Sequence, residues 1–174
     1  MAAATATTTV PRQRQARATA TRSALLDAAL AEFAAHGFEG ASTRRIAAEA
    51  GTHQPQINYH FESKEALWQA AVDHLFERLD SSVREHLGDQ EASWGTREGF
   101  AANIHAFVRA AAGLPELNRI MVQEATIDSE RLHWIVERHT RPRFDVVTSQ
   151  WRRLRADDEV ADIDEVVLYY SLVG

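Results

Sequence analysis

The chain has 174 residues, 45% of them apolar and 25% charged, a formal net charge of −6 and no cysteine. This balance supports a packed core rather than a disordered chain, and the lack of cysteine excludes disulfides, thiol catalysis and thiolate metal sites. No run approaches the ~18 apolar residues that suggest a membrane span. The first 20 residues lack the apolar stretch and cleavage-type site of a secretory signal, so a cytoplasmic address is expected. The net charge argues against nucleic acid until its distribution is read. Residues 1–64 hold seven Lys/Arg (Arg12, Arg14, Arg17, Arg22, Arg44, Arg45, Lys64) against five acids, a balance of +2, and the remainder is at −8. Salt screens charges beyond roughly 8–10 Å, so a basic end on an acidic body can still hold DNA.

Residues 1–18 are low in complexity and rich in Ala, Thr and Arg, which predicts a disordered basic arm. From Thr21 the pattern is helical, with Leu25, Leu26, Ala29, Leu30 and Phe33 on one face. Gly37 ends that run, and Phe38 can fold back on its last turn. Ser42 or Thr43 can cap a second, short helix through Ala50, with Ile46, Ala47 and Ala50 inward and Gly51 closing it. A third short helix starts near His53 or Gln54 with Pro55 in its first turn, where the missing N–H costs nothing. Ile57 and Phe61 anchor it. Ser63 can cap a long fourth helix carrying Leu67, Trp68, Ala71, Val72, Leu75 and Leu79 and ending near Gly88. Further helices read as 95–112, 115–126, 129–155 and 162 onward. No period-2 alternation or Asn-Gly turn suggests a sheet. The expectation is an all-α protein, with a three-helix domain at 19–64 and a second helical domain at 65–174.

Two short helices meeting at Gly51 form the geometry that lays a second helix in the major groove. The outward face of the third helix shows Gln54, Gln56, Asn58, Tyr59 and His60. Amides carry a donor and an acceptor together, matching the major-groove edge of adenine, while Tyr and His can donate to phosphates. Arg44 is placed for a guanine edge or a phosphate, Lys64 for a phosphate, and the helix starts at Thr43 and Lys64 can offer N–H groups to phosphate oxygens. On the residues alone, a plain solvated surface competes with this reading.

The run Thr43-Arg-Arg-Ile-Ala-Ala-Glu-Ala-Gly51, with Gln54-Pro-Gln-Ile-Asn-Tyr-His-Phe61 and Ser63-Lys-Glu-Ala-Leu67, resembles the DNA-binding domain of the TetR family of regulators. The likeness covers about residues 20–70 and includes the ending Phe33-Ala-Ala-His-Gly37-Phe38. It implies Thr43 on phosphate, Arg44 on base or phosphate, Gln54, Pro55 and Gln56 on bases, and Tyr59, His60 and Lys64 on phosphates. Asn58 stands where a Tyr is usual, so it gains base-reading ability or loses a phosphate contact. The resemblance further implies a homodimer on a palindromic operator, usually repressing, and a small-molecule effector bound between helices that moves the fourth helix.

Behind residue 65 three helical faces could enclose a cavity: Phe100, Asn103, Ile104, Phe107 and Val108; Leu117, Ile120, Met121 and Glu124; and Leu132, Ile135, Val136, His139, Arg143, Val146 and Val147. Pro142 should kink the last of these. Phe107, Met121, Glu124 and His139 are the candidate ligand residues. Against that stands a core network in which Glu124 and His139 pair with each other or with Arg143.

Two readings from other classes are weighed. A metal-dependent enzyme would have to use His133 and Glu137, four apart, but no third ligand lies at a recognisable spacing, and no phosphate loop or nucleophile elbow is present. The expectation is therefore no catalysis, no metal and no cofactor. A helical protein-interaction module without DNA is the other reading. From Asp162, acids in a first turn and the stripe Ile163, Val166, Val167, Tyr170 and Val173 start a helix whose apolar face needs a partner. Family dimers use two C-terminal helices, so residues 1–174 read as a fragment or a short member with a weak dimer.

Overall fold

The computed structural model describes residues 9–88 and 95–173. Its elements are helices α1 (Thr9–Gly40), α2 (Thr43–Glu49), α3 (Gln54–His60), α4 (Lys64–Leu87), α5 (Arg97–Ala112), α6 (Pro115–Ala125), α7 (Glu130–Ile135), α8 (Arg141–Ala156) and α9 (Glu165–Val173), with a π-helical turn at Val136–Thr140. Among the described residues there is no strand, and no helix is long and apolar enough to cross a membrane. The chain divides into two compact units between His74 and Leu75, a boundary that falls within α4.

In the first unit the periodic apolar positions are the buried ones. Leu25, Leu26, Ala29, Leu30 and Phe33 of α1, Ile46 and Ala47 of α2, Ile57 and Phe61 around α3, and Leu67, Trp68, Ala71 and Val72 of α4 are all buried. Gly37 has φ +68, which breaks the regular ladder of α1 at the expected residue. Phe38 then turns back, stacking on Phe33 at 6.1 Å between centroids and meeting Trp68 edge-on at 6.4 Å. Ser42 caps α2 by accepting from the Arg45 N–H, and Ser63 accepts from the Ala66 N–H at 3.0 Å at the start of α4.

The beginning of α1 differs from the expectation. Residues 1–8 lie outside the described residues, but the chain is helical from Thr9, where an arm had been expected to residue 18. Pro11 falls in the first turn, where a missing N–H is harmless, and the stretch that follows is Ala, Arg and Gln, good helix formers with no Gly. Thr19 and Thr21 donate their hydroxyls to the carbonyls of Gln15 and Arg17 at 3.0 Å. Low hydrophobicity suggested disorder, and helix propensity outweighs it.

In the second unit Pro142 acts as expected. It has no N–H for the carbonyl four residues back, and the ladder just ahead of it widens, so that the Arg141 N–H bonds to the Val136 carbonyl five residues earlier. Phe100, Trp151 and Leu154 form a buried cluster with Ile104, Val147, Val160 and Leu168 against it. Trp151 donates its indole N–H to the Ile163 carbonyl at 2.8 Å, tying the segment before α9 to α8. Two inward assignments are corrected: Val108 and Val146 are about half exposed. The apolar stripe read as needing a partner does lie at the surface, with Ile163 exposed as well. Leu168 and Tyr169 face the core, Tyr169 meeting Phe144 edge-on at 4.9 Å, whereas Val166, Val167 and Tyr170 are exposed. On so short a helix, Leu and Tyr at adjacent positions outcompete the Val positions for the core.

Replacing Phe33, 1% exposed, with Ala should destabilise the protein by roughly 3–5 kcal/mol. Urea unfolding followed by far-UV circular dichroism checks this, and an unchanged midpoint would show that the core of the first unit does not depend on this ring.

Candidate nucleic-acid interface

Helix α3 has seven residues and is held by two of its neighbours in the pattern. Ile57 and Phe61, four apart, point inward, and the Phe61 N–H closes the helix on the Ile57 carbonyl at 2.7 Å. Gln54, Pro55, Gln56, Asn58 and Tyr59 are all exposed, Tyr59 at 76%. His60 is half-buried and its ring meets Tyr59 edge-on at 5.0 Å.

The turn between α2 and α3 is set by Gly51 at φ +65, a left-handed conformation that favours glycine. The Thr52 N–H reaches back to the Ala47 carbonyl at 2.9 Å. Across this turn the Gln54 amide donates to the Thr43 hydroxyl at 3.4 Å, bringing the first residue of α2 beside the first of α3. Arg44 is exposed on the same first turn. Lys64 opens α4, with Nζ donating to the Glu39 carbonyl at 3.2 Å and lying 4.9 Å from the centre of the Phe38 ring. One donor of the ammonium is engaged there, and two others remain.

The sequence reading missed Glu32 and its partner Arg45. The Glu32 carboxylate accepts from the Ser42 N–H and from Arg45 Nε, both at 2.8 Å, and Arg45 Nη2 also donates to the Gly40 carbonyl at 3.0 Å. Burial pushes the Glu32 carboxyl upward, but the bonds from Arg45 and Ser42 and the charges of Arg45 and His36 outweigh it. Its pKa is held below the ordinary glutamate value. The available signal was an acid at the margin of the apolar stripe of α1, next to Phe33.

The candidate ligand residues lie in the second unit. Phe107 and Met121 are half-buried, and Glu124 and His139 are buried. Glu124 accepts from Arg131 Nε at 3.1 Å, a partner the sequence did not suggest. The His139 ring stacks on Phe76 at 4.2 Å and meets Trp134 edge-on at 5.4 Å. Arg143 donates to the His139 carbonyl at 2.8 Å and to both oxygens of Asp80 at 2.7 Å. The suspected metal pair is divided between other partners: His133 lies 2.8 Å from Asp128, and Glu137 holds Arg141 through both carboxylate oxygens. Among the described residues no group of three potential metal ligands converges.

Residues 25–71 match the model of the "Bacterial regulatory proteins, tetR family". The chain is 30% identical over 104 residues to the HTH-type transcriptional dual regulator CecR of Shigella flexneri, a match covering 60% of this chain and 45% of that protein. The chain spans about half the length of the curated relatives it matches. In fold it is similar to a HlyIIR mutant protein, with a TM-score of 0.73 at 18% identity over 89% of this chain and 82% of the other. It is also similar to AibR, solved in complex with isovaleryl coenzyme A and operator DNA, with a TM-score of 0.60 at 19% identity over 88% and 82% of the two chains.

Two outcomes follow from these charges. Because the folded Glu32 pKa is lowered, its contribution to stability is present above the unfolded glutamate value and is lost as pH falls through the folded one. Glu32→Gln should therefore flatten the acid limb of stability against pH, read as melting temperature from pH 7 down to pH 3; an unaltered limb would show that the carboxylate contributes nothing. Arg131→Met leaves the Glu124 carboxylate buried without its cation and should cost on the order of 1–3 kcal/mol. Adding Glu124→Leu should return most of that loss in the same urea experiment, and equal stability of the single and double variants would oppose this account.

Proposed function

We propose that the chain, whose residues 25–71 match the model of bacterial regulatory proteins of the tetR family, is a ligand-responsive transcriptional repressor that binds a palindromic operator as a homodimer. The observation that carries the reading is the exposed row Gln54, Gln56, Asn58 and Tyr59 on a helix clamped from beneath by Ile57 and Phe61. A solvated surface helix has no need for two neighbouring amides on a rigid mount, whereas base edges in a major groove match them. Gln54 and Gln56 read bases, with Pro55 packed against them and Asn58 beside them. Thr43, Arg44, Tyr59, His60 and Lys64 hold the phosphate backbone and fix the register.

The second unit takes the effector and the partner subunit. Phe107 and Met121 offer apolar surface to a small molecule, and Glu124 and His139 are the polar groups near that surface. Effector binding would change the separation of the two recognition helices, which must match major grooves about 34 Å apart or a multiple of it. The exposed apolar side chains Val166, Val167 and Tyr170 of α9 supply the face for the second copy. The relatives are regulators by name, and the reading carries no catalytic step.

Operator selection from random DNA followed by titration tests the DNA assignment. Gln54→Ala or Gln56→Ala should weaken specific binding by roughly 1–3 kcal/mol and relax preference at one base position. Lys64→Ala should weaken binding to all sequences alike and reduce the salt slope by about 1. If both glutamine variants keep affinity and base preference, α3 is not the reading helix.

A further inference from the structure

Helix α2 begins with adjacent arginines, Arg44 and Arg45, both exposed. By position alone either could reach a phosphate. Their surroundings separate them. The Arg45 guanidinium is turned back toward α1, where Nε and Nη2 meet the Glu32 carboxylate and Nη2 also reaches the Gly40 carbonyl. The Glu32 side chain is 11% exposed, and a carboxylate with so little water is costly unless charged and hydrogen-bonded partners surround it. Three groups do so: Arg45, the Ser42 N–H, and His36, whose Nε2 lies 3.7 Å from Oε2, with Arg45 contributing a hydrogen bond as well as charge. The bonds run from Glu32 on α1 to Ser42 and Arg45, which bracket the residues Thr43 and Arg44, and Arg45 is tied in addition to the Gly40 carbonyl. Ser42 itself caps α2 through its hydroxyl.

A short helix of this kind has little stability of its own, so the direction of its first turn must be imposed from outside. Resting on the DNA-binding reading above, we propose that Glu32 is a positioning residue for operator binding: with Arg45 it fixes the first turn of α2 so that Thr43 and Arg44 meet the DNA backbone, and Arg45 makes no phosphate contact of its own. Arg45 also neutralises a carboxylate that would otherwise repel the phosphates beside it. Arg44 is then the cation of the pair that releases counterions on binding.

The experiment measures affinity for the selected operator as a function of salt, for the wild type and for variants whose melting curves show them folded at the assay temperature. Arg44→Ala should lower the salt slope by about 1. Arg45→Ala and Glu32→Ala should each weaken binding roughly tenfold, the size of a lost charge-assisted hydrogen bond, with the slope unchanged. The double variant should be no weaker than either single one, because one interaction is being removed. Glu32→Gln, which keeps an acceptor for the Ser42 N–H, should fall between Glu32→Ala and the wild type. A slope lowered by Arg45→Ala as much as by Arg44→Ala would overturn the proposal by making Arg45 a phosphate contact. So would a Glu32→Ala variant that binds as tightly as the wild type or tighter. Failure of the wild type to select any DNA would overturn the DNA-binding reading and the positioning role together, whereas a selected operator indifferent to Glu32 would overturn the positioning role alone.

Discussion

The face that α3 presents depends on two buried side chains four residues apart. A seven-residue helix cannot persist in water on its own propensity, so Ile57 and Phe61 both hold it and orient it. With 3.6 residues per turn, fixing those two inward leaves no rotational freedom for the rest. Gln56 and Tyr59 are then carried to solvent, and Gln54 and Asn58 are exposed beside them. Phe61 lies beneath the Arg22 guanidinium, 5.5 Å from it, and the Gln54–Thr43 bond ties the start of α3 to the start of α2. Rigidity matters for reading bases because an amide misplaced by a fraction of an ångström loses one of its two bonds.

What the sequence made legible was whatever obeys a short-range rule. The apolar faces of α1 and α4, the glycine at φ +68 near the end of α1, the serine caps of α2 and α4, and the disturbance ahead of Pro142 all depend on residues within about five positions of each other. The residues outward on α3 were legible for the same reason. The relations that escaped the sequence join separate elements. Glu32 and Arg45 are thirteen positions apart and meet only because α1 and α2 pack together. Glu124 could be read as a carboxylate on an apolar face, but its partner Arg131 lies beyond a chain reversal whose direction no periodicity gives. The exposed stripe of α9 was legible as an apolar face in need of a partner, but its inward side, Leu168 and Tyr169, was hidden because nearly every residue there is apolar. The helical start of α1 is a local miss, where helix propensity overrides what low hydrophobicity suggests.

The second unit treats buried polarity in a consistent way. Glu124 is matched by Arg131, and Arg143 bridges the His139 carbonyl and Asp80 while lying 4.7 Å from the Phe76 ring. The His139 ring stacks on that same Phe76. Phe76, His139 and Arg143 gather around the π-helical turn, where the backbone ladder is already altered by Pro142. A turn of this kind inside a helix is a place where side chains are re-aimed and where small repacking is possible without unfolding. A ligand that competed for any one of these partners would act on the others, because Phe76, His139 and Arg143 share contacts. That supports an effector response in this unit more strongly than any single polar residue does.

On the proposed DNA-binding reading, the electrostatics of the first unit fit a reader rather than a general DNA binder. Its excess of positive charge is only +2 over residues 1–64, and part of that charge is engaged within the fold. Arg45 is matched by Glu32, and Lys64 has one donor on Glu39 and its charge against Phe38. Non-specific affinity scales with the number of phosphates neutralised, so a surface with so few uncommitted cations holds arbitrary DNA weakly. The amides of Gln54, Gln56 and Asn58 carry no charge and give nothing until they meet the right base edge. The net charge of −6 works in the same direction, since an acidic remainder repels stray polyanions while screening keeps it from weakening a docked contact. On that reading the protein would be discriminating because little of its affinity would be available on the wrong sequence, and placement of the first turns of α2 and α3 would then decide whether the remaining contacts form together.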